Sequence, residues 1–271
     1  MKLKIATYNI HKGVSSIGSR PRIQELKVAI GSLEADILFL QEVQGRHDLL
    51  ALRYAGSWPM QGQHEFLARE SQHVAYGLNA AYDHGHHGNA LLSNFPVIHS
   101  HNQDVSDHAY EARGILHCVV HAGDVDVHCY VVHLGLFAGS RKRQTEALVE
   151  AVASSAPPEA PVIIAGDFND WENQLSQTLF DRLAVCEVFD AGLSPRRFGT
   201  YLRRLSGRGP KIQPARTFPA AMPLLQLDRI YVRGFDVESA QVHHGMRWAR
   251  LSDHAPLVAT LTLAPSGMEP A

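Results

Sequence analysis

Cysteine is scarce, net charge is close to absent, and no apolar run is long enough to cross a bilayer. Three cysteines in 271 residues make no disulfide framework, so apolar burial has to hold the fold. A formal charge of −2 gives no global field for gripping a polyanion. No segment approaches the roughly 18 consecutive apolar residues of a membrane span. Met1-Lys2-Leu3-Lys4-Ile5 also lacks the apolar run of a signal peptide, so a cytoplasmic chain with no integral membrane segment is expected. No internal repeat is visible. The one linker-like stretch, about residues 192–223, sits between candidate site strands and not between separable halves, so a single domain over 1–265 with a flexible tail at 266–271 is expected. Acidic residues are missing from Ala191 to Leu227, where Arg196, Arg197, Arg203, Arg204, Arg208, Lys211 and Arg216 make a basic segment. It reads equally as a solvated loop or as a contact for an anionic substrate.

What is present is enough apolar content, 45%, to bury a sizeable core. Alternating or wholly apolar runs predict strands at 2–9, 37–40, 90–92, 114–121, 125–133, 162–165, 228–232 and 256–263. Helical spacing predicts helices at 23–33 and 140–153, the second opened by Ser140 as N-cap. Arg141, Lys142 and Arg143 then oppose the helix dipole in its first turn, which calls for an anion nearby. In the 114–133 hairpin Leu116, Cys118, Val120, Val127, Cys129 and Val131 share one face. That face suggests two packed sheets with helices outside, and it sets Cys118 opposite Cys129 as buried thiols.

The most informative stretch is Pro-Val-Ile-Ile-Ala-Gly-Asp-Phe-Asn-Asp at 161–170, where a buried strand runs into a glycine turn expected to lift Asp167 and Asn169 out of the sheet edge. Alone it could be an Asx turn. Other strand ends carry matching polar groups: Asn9, Glu42 and His133 close their strands, while Asp228 and Ser252-Asp253-His254 open theirs. One shared site therefore needs neighbouring strands of opposite sense, which argues against an all-parallel nucleotide-binding sheet. Glu42 and Asp167 with asparagines are hard oxygen ligands suited to Mg²⁺ or Mn²⁺ and not to zinc. His254, beside Asp253 and with Asp228 on another strand, is an imidazole a carboxylate can orient as a base. His84, His86 and His87 have a His-x-His spacing, but no partner is fixed nearby and a loop position is expected.

Thr-Tyr-Asn-Ile-His-Lys-Gly at 7–13, Leu-Gln-Glu-Val at 40–43, Gly-Asn-Ala-Leu-Leu-Ser at 88–93, His-Leu at 133–134, Arg141 with Gln144, Gly-Asp-Phe-Asn at 166–169, Leu-Asp-Arg-Ile-Tyr-Val at 227–232 and Ser-Asp-His at 252–254 resemble, in order, the endonuclease/exonuclease/phosphatase superfamily. His-Lys-Gly at 11–13, Gly-His-His-Gly-Asn at 85–89 and Asp-Phe-Asn-Asp-Trp at 167–171 most resemble its bacterial YbhP-type members. The resemblance implies an α/β fold, a four-layer α/β sandwich of two packed mixed or antiparallel β-sheets flanked by helices. It also implies metal-dependent hydrolysis of a phosphodiester or phosphomonoester, in DNA, RNA or a phospholipid head group.

By the same resemblance Asn9, Glu42 and Asp253 hold Mg²⁺ or Mn²⁺, and Asp167 orients or deprotonates the attacking water. Asn169 and His133 bind the scissile phosphate, while His254 with Asp228 serves as base or phosphate contact. His11, Asn89, Arg113 and Arg141 are the substrate-binding candidates. His11 stands where some relatives have an aspartate, and Pro-Leu-Leu-Gln-Leu precedes Asp228 in place of the Gly-Trp-Arg of exonuclease III-type enzymes, which weakens a DNA-repair reading. A catalytically inactive module binding an anionic ligand or nucleic acid is the alternative. Such a module would be free to lose Glu42, Asp167 or His254, and all three are present.

Overall fold

Alternation in the 114–133 hairpin sets the architecture. Leu116, Cys118, Val120, Val127, Cys129 and Val131 point to one face and pack against Leu3, Ile5, Phe39 and Leu91 of a second sheet, forming the central core. Cys118 and Cys129 are directly opposed, buried and not disulfide-bonded, as expected. Burial pushes the Cys118 thiol up to about 12 and that of Cys129 well above its usual value, so neither is a thiolate near neutral pH.

The computed structural model describes residues 1–15, 20–108, 110–191 and 214–264. The basic run from Arg196 to Lys211 and the tail expected at 266–271 lie outside the described residues. In chain order the strands are β1 (Lys2–Asn9), β2 (Ile37–His47), β3 (His73–Tyr82), β4 (Gly85–Ser93), β5 (Val97–Asp104), β6 (Gly114–Ala122), β7 (Val125–His133), β8 (Val162–Asp167), β9 (Cys186–Glu187), β10 (Asp228–Arg233), β11 (Phe235–Val242) and β12 (Leu257–Leu263). The first sheet has the order β11-β12-β1-β2-β4-β3 and the second β5-β6-β7-β8-β10-β9. β1 runs parallel to β2 and β7 parallel to β8, while the other neighbours are antiparallel.

Helices complete the layers. The Ile23–Gly31 helix buries Leu26, Ala29 and Ile30 against Ala6, Tyr8 and Leu38 on the outer face of the first sheet. The Ala138–Ser155 and Ser176–Leu183 helices bury Leu148, Val152, Leu179 and Leu183 against Tyr130, Val132 and Ile164 on the outer face of the second. Among the described residues no helix is long and apolar enough to cross a membrane.

The Ala138–Ser155 helix corrects one expectation. Phe137 occupies the N-cap and Ser140 lies inside the first turn, where its Oγ donates to Asp107 Oδ2 at 2.6 Å. Asp107 is also the anion that the basic first turn called for. Arg143 Nε donates to its Oδ1 at 2.8 Å, and this pairing, with Ser140, holds Asp107 well below the usual carboxylate range.

On the outer face of β6 and β7, His117 stacks between His128, at a ring separation of 5.3 Å, and Tyr130, at 4.5 Å. Burial, aided by the imidazoles of His128, His99 and His101, pushes His117 down to about 4. Its folded value lies below its unfolded one, so between the two the unfolded chain binds the extra proton. Stability is therefore fully present above about pH 6.5 and is lost as pH falls toward about 4. His117→Gln is expected to flatten that decline. Urea midpoints measured across this range that fall equally steeply in wild type and variant would refute it.

Candidate active site

Strand register builds the site. Asp167, at the end of β8, aligns with His133 at the end of parallel β7 and with Asp228 at the start of antiparallel β10, so three polar residues share one row. Gly166 allows the strands this close, because a Cβ there would lie 1.9 Å from the Val132 carbonyl oxygen. The expectation that a glycine turn lifts Asp167 out of the sheet is corrected. Gly166 and Asp167 are still paired within β8, and the chain turns at Asn169, with φ 49°.

The first sheet supplies the opposing wall. Asn9 ends β1, and β2 has an irregularity between Leu40 and Val43, inside which Glu42 takes φ 55°. An interruption of the ladder of this kind re-aims a side chain toward the rim. His11 and Lys12 share the left-handed region with Glu42 and Asn169. Four non-glycine residues at one rim in so costly a conformation mark it as built for something other than stability. Ser252 ties the last loop to β1, donating from Oγ to the Asn9 carbonyl at 2.7 Å and accepting from the His254 amide at 3.2 Å.

Asp167 is the hub. Its Oδ2 accepts from Asn9 Nδ2 at 3.1 Å and lies 3.5 Å from His133 Nε2 and 3.7 Å from His254 Nε2, while Oδ1 accepts from the Asn169 amide at 3.0 Å. His254 Nδ1 faces Asp228 Oδ2 at 2.9 Å, and Thr217 Oγ1 accepts from the Asp228 amide at 3.2 Å. Among the described residues, Asp167, Asp228 and His254 are the one group of three or more His, Cys, Asp or Glu whose donor atoms all lie within 4.8 Å of one another.

Burial lifts Asp167 well above the usual carboxylate range, with the Asp228 charge adding to it and His254 opposing. For His254 burial works against the charged form, but the carboxylates of Asp228 and Asp167 outweigh it and raise the imidazole. His133, buried and near Arg113, is pushed well below the ordinary histidine value. His11 pairs with Asp253 at 3.2 Å, and that hydrogen bond raises its own value and, against the burial of Asp253, lowers the carboxylate. Asn9 Nδ2 reaches Glu42 Oε1 at 3.4 Å, and Lys12 Nζ lies 3.9 Å from Glu42 Oε2.

A pocket of about 320 Å³ opens over this hub, lined by Glu42, Arg113, His133, Asp167, Asn169 and His254 on its polar side and by Leu136, Trp171, Phe218, Leu225 and Leu227 on its apolar side. Two residues expected at the substrate lie elsewhere. Asn89 is fully buried and bridges the sheets, donating to the Gly114 carbonyl at 2.9 Å and the Val131 carbonyl at 3.3 Å. Arg141 is buried beneath Trp171, 4.6 Å from its ring, and donates to the Gly135 and Leu136 carbonyls. His86 and His87 are not in a loop but in β4, opposite Arg46 and Gln44, because β2 runs on to His47 and keeps the hairpin paired. Sequence reasoning missed Lys12 and, apart from Phe218, the apolar wall. Their signals were the lysine inside His-Lys-Gly and Trp171 directly after Asp-Phe-Asn-Asp.

Two mixed six-stranded sheets packed face to face, helices outside, and a carboxylate and imidazole hub at one rim define an α/β sandwich with a clustered polar site at one edge. The chain belongs to the endonuclease/exonuclease/phosphatase family, which matches residues 6–254. It is 40% identical over 263 residues to YbhP of Escherichia coli strain K12, covering 96% of each chain. The fold is that of a mannosyl-6-phosphatase of Bacteroides thetaiotaomicron (TM-score 0.67, 17% identity, 96% of this chain and 100% of that one). It is equally that of a D. rerio TDP2 humanized by 14 mutations (TM-score 0.67, 18% identity, 96% and 99%).

Proposed function

We propose that the protein is a divalent-metal-dependent phosphoesterase that hydrolyses a phosphodiester by direct water attack. The observation that carries this reading is the Asp167 hub: one buried carboxylate, lifted toward neutrality, within 3.7 Å of an imidazole that Asp228 keeps charged. A carboxylate so raised is poised to accept a proton from water, and Asn9 and the Asn169 amide fix its orientation. The carboxylates of Asp228 and Asp167 raise His254 and favour its charged form, which suits a phosphate contact better than a base. His254 serves to neutralise the negative charge that builds on the phosphate oxygens. His133, Arg113 and the Asn169 side chain, which line the pocket beside it, complete the phosphate cradle.

The donors beside the hub fit a hard cation. The Glu42 carboxylate opens onto the pocket beside the Asn9 amide, with Asp253 on the adjoining loop, and the Lys12 ammonium stands where a cation would be drawn. Mg²⁺ or Mn²⁺ bound there would supply Lewis-acid polarisation of the phosphate. The shared fold of a phosphatase and of TDP2 fits phosphoester chemistry and leaves the substrate open. The test is a panel of phosphodiesters, phosphomonoesters, DNA, RNA and phospholipids with Mg²⁺ or Mn²⁺ and a chelated control. Hydrolysis of none of them, or hydrolysis indifferent to chelation, would overturn the reading.

A further inference from the structure

Two loops beside the pocket use buried hydrogen-bonding groups to hold apolar side chains out in solvent. In the first, the Leu134 carbonyl accepts from Asn169 Nδ2 at 2.9 Å and from Arg113 Nε at 3.1 Å. The Gly135 amide donates to Gln144 Oε1 at 2.7 Å and the Leu136 amide to Glu111 Oε1 at 2.9 Å, while the Arg141 guanidinium donates to the Gly135 and Leu136 carbonyls. Glu111, Arg141 and Gln144 are all buried. The loop they clamp nevertheless presents Leu136 and Phe137 with 54% and 64% of their surface exposed.

The second loop closes on itself. The Leu224 and Leu225 amides donate to the Phe218 carbonyl at 2.7 and 2.8 Å and the Phe218 amide donates to the Leu225 carbonyl at 3.2 Å, leaving Met222, Leu224 and Leu225 exposed. Trp171 is 39% exposed and braced by Arg141. Leu136, Trp171 and Leu225 line the same pocket as Asp167.

Single exposed apolar residues need no explanation, whereas a fixed group of them around a concave site marks a ligand. Four of the six exposed apolar residues, Leu136, Met222, Leu224 and Leu225, are aliphatic and offer neither charge for a nucleic-acid backbone nor a ring on which a base could stack, which only Phe137 and Trp171 supply. They match hydrocarbon. Exposed cations, Lys142 after the first loop and Arg216 before the second, add the basic flank that suits a head-group layer. Building on the phosphoesterase reading, we infer that the substrate is a phospholipid in a membrane surface. The two loops dip into the interface on either side of the pocket, Trp171 sits at head-group level, and the head-group phosphate reaches Asp167. Arg141 acts here as a positioning residue for the first loop and not as a phosphate contact.

The test uses the full chain and vesicles of phosphatidylcholine with a minority of phosphatidylglycerol. Of the three tryptophans Trp58 and Trp248 are buried, so a blue shift of emission on vesicle addition reports Trp171. The expected result is a blue shift with co-sedimentation, an affinity at least about tenfold weaker in Phe137→Ser/Met222→Ser/Leu224→Ser, and unchanged thermal stability in that exposed-site variant. Absence of vesicle binding by the wild type, or equal binding by the triple variant, would overturn the inference. Single-stranded DNA that quenches Trp171 and loses affinity in the triple variant would overturn it in favour of nucleic acid. Glu42→Ala is expected to bind vesicles normally, which keeps the two readings separable. Chelator-sensitive hydrolysis of water-soluble diesters without vesicle binding sinks only the membrane inference, and vesicle binding with no hydrolysis of any phosphoester sinks the enzymatic reading.

Discussion

Replacing Asp167 with Asn, or His254 with Ala, is expected to lower kcat by about a thousandfold or more on whichever phosphoester the protein hydrolyses. Asp167→Asn keeps the shape of the hub and its contacts with Asn9 and the Asn169 amide but removes the carboxylate that accepts the water proton. His254→Ala removes the positive charge that Asp228 holds 3.7 Å from Asp167. The two groups act on one transition state, so their losses do not add. The double variant is expected to fall within about tenfold of the worse single one. Single-turnover rates showing full additivity would refute the shared role, and a fast Asp167→Asn enzyme would remove Asp167 from the chemistry.

Glu42 separates function from stability. With φ 55° it sits in a backbone region that costs a non-glycine residue roughly 1 kcal/mol, and the metal it is proposed to hold is the reason for tolerating that cost. Glu42→Gly is therefore expected to fold at least as stably as the wild type in metal-free buffer, while Glu42→Ala is slightly less stable. Both should lose activity by orders of magnitude. A wild-type protein given Mn²⁺ at about a hundred times its Kd should gain about 2.7 kcal/mol of stability, and the variants should gain little. Melting curves with and without metal decide this. An undiminished metal-dependent rise in Tm for Glu42→Gly would place the ion elsewhere.

Eight strands were legible in the sequence, some at shorter length, and the ones that escaped were β3, β5, β9 and β11. These are the four outermost strands of the two sheets. A central strand is covered on both faces and both edges and has to read as an apolar run, as Val162–Asp167 does. An edge strand such as Val97–Asp104, with the sequence Val-Ile-His-Ser-His-Asn-Gln-Asp, is half solvated and carries no such signal. The misplaced helix start has a similar origin. Ser140 looks like an N-cap locally, but Asp107, distant in sequence, claims its hydroxyl.

The sequence by itself determined the family, the two-sheet core and the identities of the polar residues at the strand ends, because periodicity and residue chemistry are local properties of the chain. Only the tertiary structure decided which of those residues meet. Register across β7, β8 and β10 aligned His133, Asp167 and Asp228, and the irregularity in β2 turned Glu42 to the same rim. It also withdrew Asn89 into the space between the sheets and Arg141 beneath Trp171, since each found buried backbone carbonyls to satisfy. The upward shifts of Asp167 and His254 follow for the same reason. They depend on burial and on neighbours brought from far along the chain, and no property of either residue's own segment encodes them.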